Sequence, residues 1–293
     1  MKHNSNRVLR TLAYNNSVRI LFVDNTMLLR ELCDPSLPIL INTAYGRALS
    51  VSSLITGTLK DHQRLSIKLK FSIPAYSLST DIDFNGNVRG YISDELLDIS
   101  RTWNDQGSYN LYDMIGERGS IRITKDIGMS GTFTGITDMP FQNITDDIAH
   151  YYQQSEQIPT IFYNGIQFNQ NNEISRSKGI MAQLLPGVPH QLLEDVKRTV
   201  RQYEEYIMNP VNDHNLLNCA ATMFPDMKVM GSTKIQYHCD CSKEVLYPML
   251  YSLDQDDLLA AVANQESIEL LCHICGRKYK FDVDDISNLL KTF

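Results

Sequence analysis

Six cysteines occur in the 293 residues, and four of them fall into two close pairs near the C-terminal end. Cys239 and Cys241 form a CxC in YHCDCSKE; Cys272 and Cys275 form a CxxC in LLCHICGRKY, with residues 242–271 between the pairs. Four thiolates are the soft donor set that suits one tetrahedral zinc ion. In an extended segment residues i and i+2 share a side, so 239 and 241 face one point while Asp240 faces away. The CxxC turns its two sulfurs toward one point in the manner of a zinc knuckle. One ion held by both pairs would tie two distant stretches of chain. The competing readings are four unrelated buried thiols or a permanent disulfide pair, and a reducing compartment disfavours the second. Four sulfurs complete the shell, so His238 and His273 read as bystanders. The same closure leaves no open position at which a metal activates water. Cys33 and Cys219 lie far from the cluster and read as small buried hydrophobes.

The bulk numbers narrow the function classes. Hydrophobic content of 43% and charged content of 21% fit an ordinary soluble chain with room for two domains. A net charge of −7 argues against a general nucleic-acid binder or a membrane-surface protein, both of which need clustered Lys and Arg. No apolar run approaches the roughly 20 residues of a membrane span, and MKHNSNRVLRTLAYNN has no apolar secretion-signal core. A cytoplasmic location is expected.

Taken in order, residues 7–23 predict two short strands around Asn15-Asn16. A short helix follows in NTMLLRELCDP, capped by Asn25 or Thr26, and a longer helix over 38–60 carries Ile41, Ala44, Ala48, Val51, Ile55 and Leu59 on one face. RLSIKLKF alternates as a strand, and Asn85-Gly86-Asn87 sits between alternating runs as a hairpin turn. A second hairpin is expected around Gly128 to Gly131. A helix follows in ITDDIAHYYQQSEQIP, with Asp146 and Asp147 at its positive end, and then three short strands in TIFYNGIQFN, NNEIS and GIMAQLL. The acidic pairs Asp81/Asp83 and Asp146/Asp147 are better explained by strand faces and a helix start than by a catalytic dyad. The fold class is therefore α+β: an antiparallel-sheet domain with packed helices over 1–180, a helical linker over 181–232, and a zinc-binding domain over 233–293. The linker reads as one amphipathic helix over 189–208 and a shorter one around 213–222. In the last segment Ser252-x-x-Gln255 suggests a capping box, Asp284 or Asp285 starts a terminal helix, and the core is too small to hold without metal.

No nucleophile elbow, phosphate-cradling glycine loop or HExxH is present, so no catalytic residues are assigned and no enzyme activity is expected. Spacing supplies a different idea. Each cysteine pair is close enough for oxidation to join its own members, and such tiny loops restrain an unfolded chain far less than a metal worth about 10–16 kcal/mol. Oxidation would then unfold 233–293 and loosen the helices before it. The same four cysteines also fit an inert structural zinc in a module that binds protein or nucleic acid. For nucleic acid, however, Lys234, Lys243, Arg277, Lys278, Lys280 and Lys291 are outnumbered by acidic neighbours.

Nearly the whole chain resembles the heat shock protein 33 family, the redox-regulated 33-kDa chaperonins. The resemblance is carried by CDCSKE, CHICGRKYKFD, FNGNVRGYI, DDIAHYYQQSEQIPT, MAQLLPG and, more loosely, YGRALSVSSLITGTLK. It implies an ATP-independent holdase, a stress-response chaperone that is inactive while reduced and zinc-bound. Oxidation is then expected to form Cys239–Cys241 and Cys272–Cys275 disulfides, expel zinc, and permit binding of unfolded or oxidatively damaged clients by a homodimer. Clients would pass to ATP-driven foldase chaperones when reducing conditions return. Lys243 stands where arginine is usual, and TDMPFQN departs from the pattern expected before the 146–160 helix.

Overall fold

The computed structural model describes residues 6–102, 110–128, 131–209 and 216–291. The chain divides into two units, Met1–Tyr237 and His238–Phe293.

The first unit begins with β1 (Arg7–Ala13) and β2 (Val18–Asp24), joined through Tyr14, Asn15 and Asn16 at φ values of 52°, 53° and 65°. Asn tolerates this left-handed region because its short polar side chain bonds locally. Both faces of β2 are apolar. Leu21 and Val23 enter one core with Leu28, Leu49 and Leu54; Val18, Ile20 and Phe22 enter a second with Val196, Val200 and Ala220. Successive strand residues point to opposite faces, so a single run of VRILFV serves two cores. Helix α1 (Thr26–Leu32) has Asn25, one of the two expected caps, at its N-cap position, but the Asn25 side chain makes no capping bond. Asp24 accepts from the Thr26 amide (3.2 Å) and hydroxyl (2.8 Å), while the Asn25 amide turns inward to Ser50 (2.8 Å) and Ser53 (3.3 Å). Those serines belong to α2 (Ile39–Thr56), whose buried hydroxyls also reach Thr80 in one sheet and Ser177 in the other. Helix α2 thus lies between two sheets, each of its polar atoms named here being paired, as burial demands.

One sheet has the order β5-β4-β3-β6-β7, all antiparallel: β3 (Arg64–Lys70), β4 (Ser77–Asp83), β5 (Val88–Ile92), β6 (Ser120–Asp126) and β7 (Thr132–Asp138). The Asn85-Gly86-Asn87 hairpin forms as expected, with Asp83 accepting from the amides of Asn85 and Asn87. Asp81 is buried beneath Arg89 and Arg64, at 2.5 and 2.9 Å, so this acidic pair is neutralised structure rather than a dyad. Two short helices that the sequence pattern did not suggest, α3 (Asp94–Ser100) and α4 (Leu111–Ile115), lie between β5 and β6. The turn of the β6–β7 hairpin includes 129–130, outside the described residues.

Helix α5 (Ile144–Gln154) is capped by Asn143, and buried Asp147 accepts from the amides of Phe141 (2.9 Å) and Asn143 (2.8 Å). Burial pushes the Asp147 carboxyl above the usual range, against those two donations. The three short strands expected next are two long ones, β8 (Thr160–Phe168) and β9 (Ile174–Leu184). NNEIS and GIMAQLL run on through SRSK as one strand, because Ser177 and Lys178 are buried with hydrogen bonds instead of forming a turn. The helix expected over 189–208 breaks at Tyr203 (φ −104°, ψ 9°) into α6 (Gln191–Gln202) and α7 (Glu204–Met208). Helix α8 (Leu216–Met223) covers most of the next expected helix, whose start lies outside the described residues. Residues 228–234 then form β10 (Lys228–Lys234), which pairs with β1 and completes the order β10-β1-β2-β9-β8.

The second unit contains α9 (Lys243–Leu246), a 3-10 turn at Tyr247–Ser252, α10 (Gln255–Ala263), β11 (Ile268–Leu271), β12 (Lys278–Phe281) and α11 (Val283–Leu290). Its caps differ from those expected. Asp254, not Ser252, caps α10, and the Ser252 hydroxyl donates back to Met249. Asp282, not Asp284 or Asp285, caps α11, in a reciprocal box with Asp285. Leu246, Leu250, Leu258, Phe281, Ile286 and Leu289 are its large buried side chains.

A prediction follows from the Gly86 turn, where φ is +82° and a Cβ would collide with the Lys234 carbonyl oxygen. Gly187 has a similar φ of +80° but nothing near a Cβ. Gly187→Ala should cost only the backbone strain of about 1–2 kcal/mol, and Gly86→Ala clearly more. Urea denaturation midpoints of the two variants check this; equal midpoints would show that the turn does not grip the chain at Lys234.

Candidate metal centre

Cys239 and Cys241 lie in an irregular run that ends where Ser242 caps α9, its hydroxyl accepting from the Val245 amide. Cys272 and Cys275 occupy the turn between β11 and β12. That turn is closed by the Cys272 amide on the Arg277 carbonyl (2.9 Å) and the Gly276 amide on the Cys272 carbonyl (2.8 Å). Gly276 takes φ 71°, the left-handed step that lets the hairpin resume after the second cysteine.

All four sulfurs lie within 4.8 Å of one another, with Cys239–Cys272 at 3.9 Å and Cys241–Cys275 at 3.4 Å. A tetrahedron with metal–sulfur bonds of about 2.3 Å has edges of about 3.8 Å. Disulfide sulfurs sit about 2.05 Å apart, and all six cysteines are free. The donor set and spacing therefore fit one zinc ion, held by Cys239, Cys241, Cys272 and Cys275 with no further position open. Among the described residues this is the one group of three or more potential ligands that converge. His238 instead meets Asp240 at 2.7 Å, and exposed His273 is not in the group.

The sulfurs are not equivalent. Burial pushes the Cys239 and Cys275 thiols upward. Burial acts on Cys241 as well, but hydrogen bonds from Tyr279 and the neighbouring thiols outweigh it and bring this thiol below its ordinary value. The Tyr279 hydroxyl lies 2.8 Å from the Cys241 carbonyl oxygen and 3.1 Å from its sulfur, one proton facing two acceptors. Sequence reasoning missed Tyr279: YKF registers as a strand, and no pattern shows where its hydroxyl ends. Lys243, which stands where arginine is usual in the family pattern, bonds Asp285 at 2.6 Å and lies 5.4 Å from the Phe281 ring centroid, joining α9 to α11 and β12. Cys33 and Cys219 are buried in the first unit, and burial raises both thiols, Cys33 to about 12, which leaves them inert.

Removing an outer partner of a metal ligand typically weakens metal binding about 10–100-fold. Tyr279→Phe should therefore lower zinc affinity by about tenfold or more, measured by competition with a chromophoric chelator. An unchanged affinity would mean that the hydroxyl serves the Cys241 carbonyl alone.

Comparison with known proteins agrees over nearly the full length. The family profile for Hsp33 protein matches residues 6–282. The 33 kDa chaperonin of Bacillus cytotoxicus is 28% identical over 254 residues, covering 86% of each chain. That of Bacillus cereus strain B4264 is 30% identical over 254 residues, covering 85% of this chain and 86% of its own. The crystal structure of the 33 kDa chaperonin (heat shock protein 33 homolog) from Thermotoga maritima superposes with a TM-score of 0.82 at 21% identity, over 99% of both chains, and shares the fold. No helix among the described residues is long and apolar enough to cross a membrane. The relatives' name supports a chaperone function, and the chain belongs to the heat shock protein 33 family.

Proposed function

We propose that this protein is a redox-regulated, ATP-independent holdase chaperone whose switch is the four-sulfur centre. The observation that carries the reading is the convergence of Cys239, Cys241, Cys272 and Cys275 within 4.8 Å in a unit with few large buried side chains. When bound, zinc supplies the cross-link that such a unit lacks; its closed shell offers no catalytic position. In the reduced state the four sulfurs hold the metal and the chaperone is inactive.

An oxidant such as hydrogen peroxide takes two electrons from each cysteine pair. Two sulfur–sulfur bonds form, two peroxide molecules take up four protons from solvent to become four water molecules, and the four sulfurs that would hold zinc are no longer available to it. The products are Cys239–Cys241 and Cys272–Cys275. Loops this short restrain the chain much less than the metal did, so 233–293 unfolds and the helices of 181–232 lose part of their hold. The apolar surface set free binds unfolded or oxidatively damaged proteins in the cytoplasm, with the active form a homodimer. Clients pass to ATP-driven foldase chaperones after reduction.

The pairing decides whether the switch works. One sulfur separation across the pairs, from Cys241 to Cys275, is only 3.4 Å. A disulfide there would keep the long-range tie and leave the unit folded. Peptide mapping of the peroxide-treated protein should find the two local disulfides, accompanied by zinc release and loss of helical circular dichroism. Light scattering of a heat-denaturing reporter enzyme should fall with the oxidised protein and not with the reduced one. A Cys241–Cys275 product, or equal aggregation with both forms, would overturn the reading.

A further inference from the structure

Strand β7 is the last strand of its sheet, and among the described residues nothing pairs with its outer edge. The other edge strands of the two five-stranded sheets are blunted in recognisable ways. On β5 the Val88 amide donates to the Gln236 carbonyl at 2.8 Å, and Asn87 bridges to Gln236. Lys228 and Lys234 stand at the ends of β10, whose register slips opposite Arg10 and Thr11. Helix α5 packs on β8, where Gly165 meets Met208. Strand β7 is touched by helix α5, through His150 at Asp138 and Tyr151 against Gly135, but its outer main-chain edge carries no lysine, bulge or paired segment among the described residues. TFTGITD runs in unbroken register with β6, without proline or lysine, and its one charge is Asp138 at the end. Unprotected edges of this kind template pairing with another extended chain.

Two apolar side chains of this edge are open, one on each face of the sheet, because positions 133 and 136 lie on opposite sides of a strand. Phe133 is 64% exposed and Ile136 57%; Phe141, just beyond the strand, is 56% exposed. His150 meets Asp138 at 3.5 Å and the Phe141 ring at 5.8 Å, and both rings line a cavity of about 550 Å³ shared with Ile161 and Val200. We propose that the outer edge of β7, continued by Phe141 and this cavity, docks an extended, largely apolar segment of a non-native polypeptide as a sixth strand. Main-chain pairing reads no sequence, which suits a partner without a fixed one, and the exposed rings add apolar contact. A second copy of this chain is the weaker occupant, because it would bring another net charge of −7 to the contact. The assignment rests on the holdase reading and gives it one surface.

The test uses full-length oxidised protein and a reporter kept unfolded by reduction and carboxymethylation. Fluorescence anisotropy of the labelled reporter should show binding about tenfold weaker for the Phe133→Lys, Ile136→Lys double variant, with zinc content and circular dichroism of its reduced form unchanged. If that variant misfolds, Phe133→Ser with Ile136→Thr replaces it. Hydrogen exchange should slow at β7 amides when the reporter is added. Unaltered affinity, or β7 amides that exchange equally fast with reporter present, overturns the proposal even where wild-type protein still suppresses aggregation. Protection of β7 that grows with protein concentration alone would assign the edge to self-association and equally overturn it. Failure of wild-type protein to suppress aggregation, with β7 protected by the reporter, would instead strike the holdase reading and leave the docking edge standing.

Discussion

Four sulfurs from two separate stretches converge at one point of the second unit, and the neighbouring structure is arranged around them. The irregular run at 239–241 and the turn at 272–275 are brought together there. Ser242 starts α9 one residue after Cys241, and β12 leaves the turn to place Tyr279 against Cys241 and Phe281 beneath Lys243. The contacts that remain without the sulfurs are weak. The Lys243–Asp285 bridge is partly exposed, and such pairs contribute about 0–1 kcal/mol. Helix caps add about 1 kcal/mol each, and the large buried side chains of the unit are few. A unit of this size rarely holds on its core alone.

The first unit is built on the opposite principle. Two sheets enclose α2, whose buried serines are hydrogen-bonded to both, and two apolar cores share β2 between them. Its hold is graded, though. Strand β10 is paired along β1, and the adjoining chain is held at Gln236 by Asn87 and Val88. Helix α6 has two fully buried side chains, Val196 and Val200, and is otherwise amphipathic surface. Burying a valine is worth roughly 1.5–3 kcal/mol, so α6 is attached to its sheet by a small part of what fixes the strands. Elements of low local stability are the ones that move first when a constraint is lifted.

The features that were legible in the sequence are those with a strong local code. The sulfur quartet, the Asn-Gly hairpin and the long apolar face of α2 each follow from residue type and spacing alone. Choices among near-equal neighbours were not legible. Asp282, Asp284 and Asp285 all qualify as a cap for α11, and backbone geometry alone selects Asp282. KVMGSTK carries two lysines and a glycine, so its pairing with β1 comes from the partner strand rather than from its own pattern. Ser-Arg-Ser-Lys reads as a loop, yet Ser177 and Lys178 are buried mid-strand because α2 presents Ser50 to meet the first of them. The Tyr279 hydroxyl belongs to the same class, since a side chain's partner across a hairpin is a tertiary fact.

A small core and a four-sulfur tie belong together for a physical reason. Were the second unit rich in buried side chains, losing the cross-link would cost it part of its stability and leave it folded. With few, the metal's contribution of about 10–16 kcal/mol is as large as the net stability of a typical domain, about 5–15 kcal/mol, so on the proposed reading metal loss and unfolding would become one event. The same logic sets the spacing within each pair. A disulfide across the pairs would span more than thirty residues and restore the constraint that oxidation had removed, whereas CxC and CxxC offer partners two and three positions away. On the proposed switch, short spacing is what would allow oxidation to act as a release, with chain connectivity rather than distance separating the two outcomes, since all four sulfurs are close in the folded state.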